Sequence, residues 1–216
     1  ELALPTIDWA KARLKVSNHV VREFEADEQA RWAKELREPI ERHFLHLALR
    51  YGPRLGELFF PPDALKRDAR GRPILELGRY LTKEGVWRAS RKDGTLHPVA
   101  LRDEDAELLE ELVERAIDRG APHVWLNNAG TVLTYYAMRG RLVRAAARAG
   151  VEPGRIIHGM RHHAGTQMAR QGLGLAKDLL GHKQIETTMR YAHTNTDDMR
   201  AALDRVAAPA PKPKAR

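Results

Sequence analysis

Apolar residues recur at helical spacing in several stretches of the chain. Ile40, Phe44, Leu47, Ala48 and Tyr51 share one face of a helix, and residues 27–38 read as a helix before it. Tyr51-Gly52-Pro53 breaks that pattern, and a short helical turn can restart at Arg54. Residues 103–118 form a second amphipathic stretch, with Leu109, Leu112, Val113, Ala116 and Ile117 inward. Further helices are predicted over 135–148, ending at Gly150, and over 158–170, ending near Gly172. Shorter ones follow at 175–180, stopped by Gly181, and at 186–191. The last covers 197–206, with Met199, Leu203 and Val206 on one face.

Residues 61–101 differ in character. Pro61-Pro62, Gly71, Gly78, Gly85 and Gly94 punctuate short β-prone runs at 74–77, 86–89 and 96–101. Lys92-Asp93-Gly94-Thr95 reads as the hairpin turn between the last two, because Asp-Gly tolerates the positive φ of a tight turn. Residues 123–126 form a short extended piece. The expected fold is mainly α with a small antiparallel β-sheet, an α+β arrangement. Residues 1–25 read as a lead-in segment, 26–206 as one domain, and 207–216 as a disordered Pro-rich basic tail.

With 216 residues the chain suffices for one large domain. It has no cysteine, which excludes disulfides, thiolate metal sites and a cysteine nucleophile. It contains no run of about 18 apolar residues, so no membrane span is expected. Glu1-Leu2-Ala3-Leu4-Pro5 lacks a signal-peptide pattern, and the first residue is not Met. A fragment or processed chain, cytoplasmic and nucleoid-associated, is expected.

Charge narrows the partner. There are 37 Lys plus Arg against 29 Asp plus Glu, a net charge of +8. Nucleic acid is the first polyanion to consider. Residues 66–92 carry nine basic and three acidic side chains, whereas residues 102–118 carry eight acidic and two basic ones. Arg141, Arg144 and Arg148 share a helix face. A basic side is expected from the 66–92 region and the Arg141 helix, with the acidic helix away from it.

Histidine marks the candidate chemistry. Five of the ten histidines lie between 158 and 193: His158, His162, His163, His182 and His193. His158 and Arg161 are three apart on one helix. His158 and His162 also have a zinc-ligand spacing. Gly159 stands where a zinc hydrolase needs Glu, and Arg161 would repel a cation, so no metal is expected. Leu180-Gly181-His182 follows, then Tyr191 nine residues on. Upstream, Gly52-Pro53-Arg54-Leu55-Gly56-Glu57 places an arginine just after a helix break.

Together these segments resemble the tyrosine recombinase (phage integrase) family over roughly residues 27–206. Gly52–Glu57 resembles its first arginine box, His158–His162 its H-x-x-R-H box and Leu180–His182 its L-G-H box, with Tyr191 at the nucleophile's distance. The resemblance implies the family's catalytic-domain fold and site-specific cutting and rejoining of double-stranded DNA through a 3′-phosphotyrosyl intermediate. It implies no cofactor or nucleotide, and a homo-oligomer on DNA, a tetrameric synapse. It also implies an N-terminal domain for which this chain has no room, so a C-terminal fragment with reduced DNA affinity is expected. In the family the C-terminal segment commonly docks on a neighbouring protomer, and the 197–206 stripe allows that or packing on its own domain.

The chemistry is consistent with these roles. Arg54 and Arg161 would hold the non-bridging oxygens of a scissile phosphate through their planar forks. A tyrosine is only about 0.1% phenolate at neutral pH, so Tyr191 needs a base, for which His158 is the candidate. Lys92 is the candidate general acid for the 5′-alkoxide, favoured over Lys83 because the Asp-Gly turn and the Val99/Leu101 strand end follow it. His182 would hydrogen-bond the phosphate, and Glu57 would orient Arg54. Two alternatives remain: a type IB topoisomerase, and a catalytically silent DNA-binding module of the same fold.

Overall fold

The computed structural model describes residues 23–82, 85–90, 94–151, 156–189 and 191. The expected lead-in up to residue 22, Lys83, Lys92, His193, the 197–206 helix and the basic tail lie outside the described residues.

Helix α1 (Ala26–Lys34) begins with a reciprocal cap, in which Glu25 and Glu28 each accept from the other's backbone end of the turn. It stops four residues before the predicted end. Pro39 pushes the residue before it out of the α region, and Glu38 is extended (φ −101°, ψ 144°) and caps the next helix instead. Helix α2 (Pro39–Tyr51) has proline in its first turn and a second reciprocal cap from Glu38 and Glu41. It ends at Gly52, which is left-handed at φ +59°.

Two 3₁₀ turns, Leu55–Leu58 and Pro62–Ala64, lead into the β region. Strands β1 (Leu65–Arg67), β2 (Pro73–Leu77) and β5 (His97–Ala100) form an antiparallel sheet in the order β1-β2-β5. Leu75 faces Val99 in register, and both are buried with Leu77. Strands β3 (Arg79–Leu81) and β4 (Trp87–Ala89) make a separate two-stranded sheet. The expected hairpin between 86–89 and 96–101 is therefore not formed. Residues 87–89 pair back onto 79–81, and β5 pairs with β2. Gly85, at φ +78°, with its N–H donated to the Thr82 carbonyl, closes the actual β3–β4 hairpin. β1 escaped prediction because its three residues include exposed Lys66 and Arg67 and show no apolar alternation.

Five helices follow: α3 (Asp103–Asp118), α4 (Tyr135–Arg148), α5 (Ile156–Ala169), α6 (Leu173–Leu180) and α7 (Ile185–Met189). Three acids open α3, favourable at a helix N-terminus. Leu109, Leu112 and Ala116 point inward as expected, but Ile117 is exposed because the buried stripe runs along 109, 112 and 116. Thr134 caps α4 by accepting from the Ala137 N–H at 3.2 Å. Among the described residues no helix is long and apolar enough to cross a membrane.

The core centres on Trp32, Phe44 and Trp125, all wholly buried. Phe44 meets Trp125 edge-on at 4.7 Å between ring centroids. Trp32 donates its indole N–H to Leu142 O (2.9 Å), joining α1 to α4. Trp125 donates to Leu58 O (2.5 Å), fixing the turn after Arg54.

The expected segregation of charge does not hold. Arg141 is bound by Glu38 (2.8 Å) and Glu41 (2.6 Å), and Arg148 by Glu35 (2.9 Å). Arg141 thereby ties α4 to the start of α2 and Arg148 ties it to the end of α1, so neither is open to a polyanion. The acidic helix also packs near the sheet, where Glu110 pairs with Arg67 at 2.8 Å. Packing of neighbouring elements, which linear charge counts ignore, decides both pairings.

Trp125→Ala is expected to lose about 3–5 kcal/mol of folding stability, measured by urea denaturation, because it empties the core centre and removes the bond to Leu58.

Candidate active site

Gly52 stands where three helices meet. A Cβ there would lie 2.7 Å from Ala164 Cβ and 3.1 Å from Leu180 Cδ2, so the end of α2 touches both α5 and α6. The positive φ and the close approach each exclude a larger residue. Two residues on, Arg54 leaves the helix axis in an extended conformation and starts the 3₁₀ turn.

Glu57 holds Arg54 in place. Its carboxylate is buried (1% exposed) and accepts from the Arg54 backbone N–H (2.9 Å), Arg54 Nη1 (3.1 Å) and Ser90 Oγ (2.5 Å). Burial disfavours its charge, but the Ser90 hydroxyl, the Arg54 N–H and the charges of Arg54 and Arg161 together hold its pKa below the usual carboxylate value. The Arg54 side chain itself is half-exposed.

Arg161 bridges two helix ends. Nη1 donates to Gly52 O and Nη2 to Leu180 O, both at 2.7 Å. These carbonyls close the C-terminal ends of α2 and α6, where the helix dipole is negative, so both favour the cation. Nη2 also lies 3.3 Å from His182 Nε2, and His182 Nδ1 lies 3.0 Å from Thr188 Oγ1. A guanidinium only donates, so in this contact Nε2 accepts and Nδ1 carries the proton toward Thr188.

Tyr191 completes the cluster and is 5% exposed. Its ring stacks on the His182 imidazole (6.0 Å, 14°) and meets the His162 ring at 5.0 Å. Its backbone N–H donates to Thr188 O (2.9 Å). Gly165 provides the space, since a Cβ there would come within 3.0 Å of Tyr191 Cε1 and 2.9 Å of Leu180 Cδ1.

Of the residues singled out in the sequence, Arg161, His182 and Tyr191 meet directly. Arg54 joins them through Glu57, which feels both arginines. His158 is exposed on α5, one turn before Arg161, and no hydrogen bond or ring contact joins it to the cluster among the described residues. Lys92 lies outside the described residues, and the hairpin that recommended it is not formed. The hairpin that does form joins β3 to β4, and the sequence between them contains Lys83. Ser90 and Thr188 were not foreseen. Ser90 is 33 residues from the carboxylate it serves and Thr188 six from its histidine, with no pattern marking either. No group of three potential metal ligands occurs among the described residues.

This architecture is that of the tyrosine recombinase catalytic domain. The integrase of transposon Tn1549 in complex with transposon right end DNA superposes with a TM-score of 0.67 at 18% identity, covering 92% of this chain and 70% of that one. The crystal structure of XerA recombinase superposes at 0.58 and 18%, covering 88% and 66%. The model of the phage integrase family matches residues 75–198. The type 1 fimbriae regulatory protein FimE of Escherichia coli is 31% identical over 159 residues, 69% of this chain and 72% of FimE. Tyrosine recombinase XerD of Corynebacterium glutamicum is 30% identical over 88 residues, 39% of this chain and 29% of its own. The chain belongs to the phage integrase family, the tyrosine recombinases.

Glu57 gives a pH test. Its folded pKa is depressed, so it contributes stability above its unfolded value, near 4.5, and that contribution is lost as pH falls through the folded value. Glu57→Gln should cost about 1–3 kcal/mol at neutral pH and flatten the acid limb of a pH–stability curve.

Proposed function

We propose that this chain cuts and rejoins double-stranded DNA at preferred sites by transesterification through Tyr191. The observation that carries the reading is the gathering of Arg161, His182 and Tyr191 at the ends of α2 and α6, with Arg54 fixed beside them by Glu57.

The Tyr191 oxygen attacks phosphorus, the bond from phosphorus to the 5′-oxygen breaks, and a 3′-phosphotyrosyl link remains. A general acid gives the departing 5′-oxygen its proton. Rejoining reverses these bonds with a 5′-hydroxyl from the partner strand, so the link conserves the energy of the cut and no nucleotide is consumed. Arg54 and Arg161 stabilise the charge that develops on the non-bridging oxygens, and losing one such contact typically costs about 10²–10³ in rate. His158, exposed beside Arg161, is the proposed base. His182 donates to the phosphate only in the form in which Nε2 carries a proton, a form that the negative charge of the phosphodiester would favour. The family members solved on DNA support a DNA substrate, and a synaptic tetramer is the assembly proposed.

Two lysines compete as general acid. Lys92 precedes Gly94 and strand β5 in the sequence, and Lys83 lies in the sequence between β3 and β4. A nicked suicide duplex carrying the recombination site should give a denaturation-resistant protein–DNA adduct. Tyr191→Phe should abolish the adduct, and an adduct persisting in that variant sinks the assignment. Alanine at the lysine that acts should slow adduct formation at least about 10²-fold on an ordinary duplex, and a substrate with a 5′-thiol leaving group should restore it. Relaxation of any supercoiled plasmid without site preference would instead indicate the topoisomerase reading.

A further inference from the structure

Resting on the DNA-binding reading above, we propose that Arg37 and Arg144 form a second phosphate-binding clamp, at the far end of α2 from Tyr191, that grips the DNA backbone. A polar cleft of about 320 Å³ opens there, lined by Arg37, Glu38, Glu41, Arg141, Arg144 and Arg148. Its four arginines are not equivalent. Arg141 is neutralised by Glu38 and Glu41, and Arg148 is bound by the carboxylate and carbonyl of Glu35. Among the described residues the guanidinium groups of Arg37 and Arg144 have no ion-pair or hydrogen-bond partner, and both residues are exposed.

Arg37 and Arg144 line the cleft with their guanidinium groups unengaged. The Arg144 side chain lies against its own helix. Its Nη1 lies over Gly140 one helical turn earlier, where a Cβ would come within 3.0 Å. The absence of a side chain at Gly140 leaves room for that approach. Two planar forks converging on one cleft, with the neighbouring acids already spent on Arg141, suit a phosphate group. Free phosphate and a DNA phosphodiester share that chemistry. The polymer is favoured because the cleft is open and the arginine heads are solvent-facing.

Spacing is compatible with one duplex reaching both places. α2 has 13 residues and is about 20 Å long, the rise of about six base pairs. A duplex lying along α2 from Arg54 and Arg161 near Gly52 would meet the Arg37–Arg144 cleft about half a turn away.

Neither arginine belongs to the proposed catalytic machinery, so binding and chemistry separate. The test compares the full chain with Arg37→Gln/Arg144→Gln and Arg37→Lys/Arg144→Lys on a 40-base-pair duplex, over a series of potassium chloride concentrations. Wild type should bind with a steep salt dependence. The Gln pair should lower the slope of log affinity against log salt by about 1, for the one phosphate the clamp holds, and the Lys pair should keep it. Adduct formation at saturating DNA should be unchanged in both. A steep wild-type slope that the Gln pair leaves untouched overturns the clamp while the DNA reading stands. No salt-steep binding by wild type overturns that reading and the clamp with it. A second arm adds inorganic phosphate at constant ionic strength and follows thermal unfolding. Stabilisation by phosphate that the Gln pair loses, with an unchanged DNA slope, identifies a free-anion site and overturns the DNA assignment.

Discussion

The two bonds from Arg161 to Gly52 O and Leu180 O organise the site. Each carbonyl closes the negative end of a helix, so one buried-side cation satisfies two helix dipoles at once. Everything else in the cluster is positioned relative to those two helix ends. Two residues beyond Gly52 the chain presents Arg54, and two beyond Leu180 it presents His182. His182 then seats against Thr188 and stacks on Tyr191. The same guanidinium that would stabilise a phosphate therefore also assembles the groups around it, and replacing it affects structure and chemistry together.

Such close approach needs small residues. Gly52, Ala164 and Gly165 let α2, α5, α6 and the Tyr191 ring meet within contact distance. Charge is economised in the same way. Arg141 and Arg148 are consumed in holding α4 to α1 and α2, and Arg67 in holding β1 to α3. The net charge of +8 therefore overstates the surface available to a polyanion, and the cations that remain unengaged are the informative ones.

Helices were largely legible in the sequence because their apolar period and their glycine or proline stops are local signals. Tyr135–Arg148 matched, and Gly181 stopped α6 as expected. The arginine, histidine and tyrosine boxes were legible because a catalytic constellation constrains spacing as well as residue type. The β region was not. Strands of three residues carry too little alternation to show their partners, so β4 was joined to β5 when it pairs with β3. The preference for Lys92 over Lys83 rests in part on that pairing, and both lysines lie outside the described residues. Long-range partners were equally hidden. Nothing in the order of residues shows that Ser90 reaches Glu57, or that Glu38 and Glu41 cancel Arg141.

The central claim is that the cluster assembled by Arg161 presents Tyr191 as the nucleophile. The most direct measurement is mass spectrometry of the tryptic peptide that carries the trapped DNA. The account predicts a nucleotide remnant on the phenol oxygen of Tyr191, in the peptide spanning residues 191–200. A remnant on any other residue, or an adduct distributed over several, would contradict it.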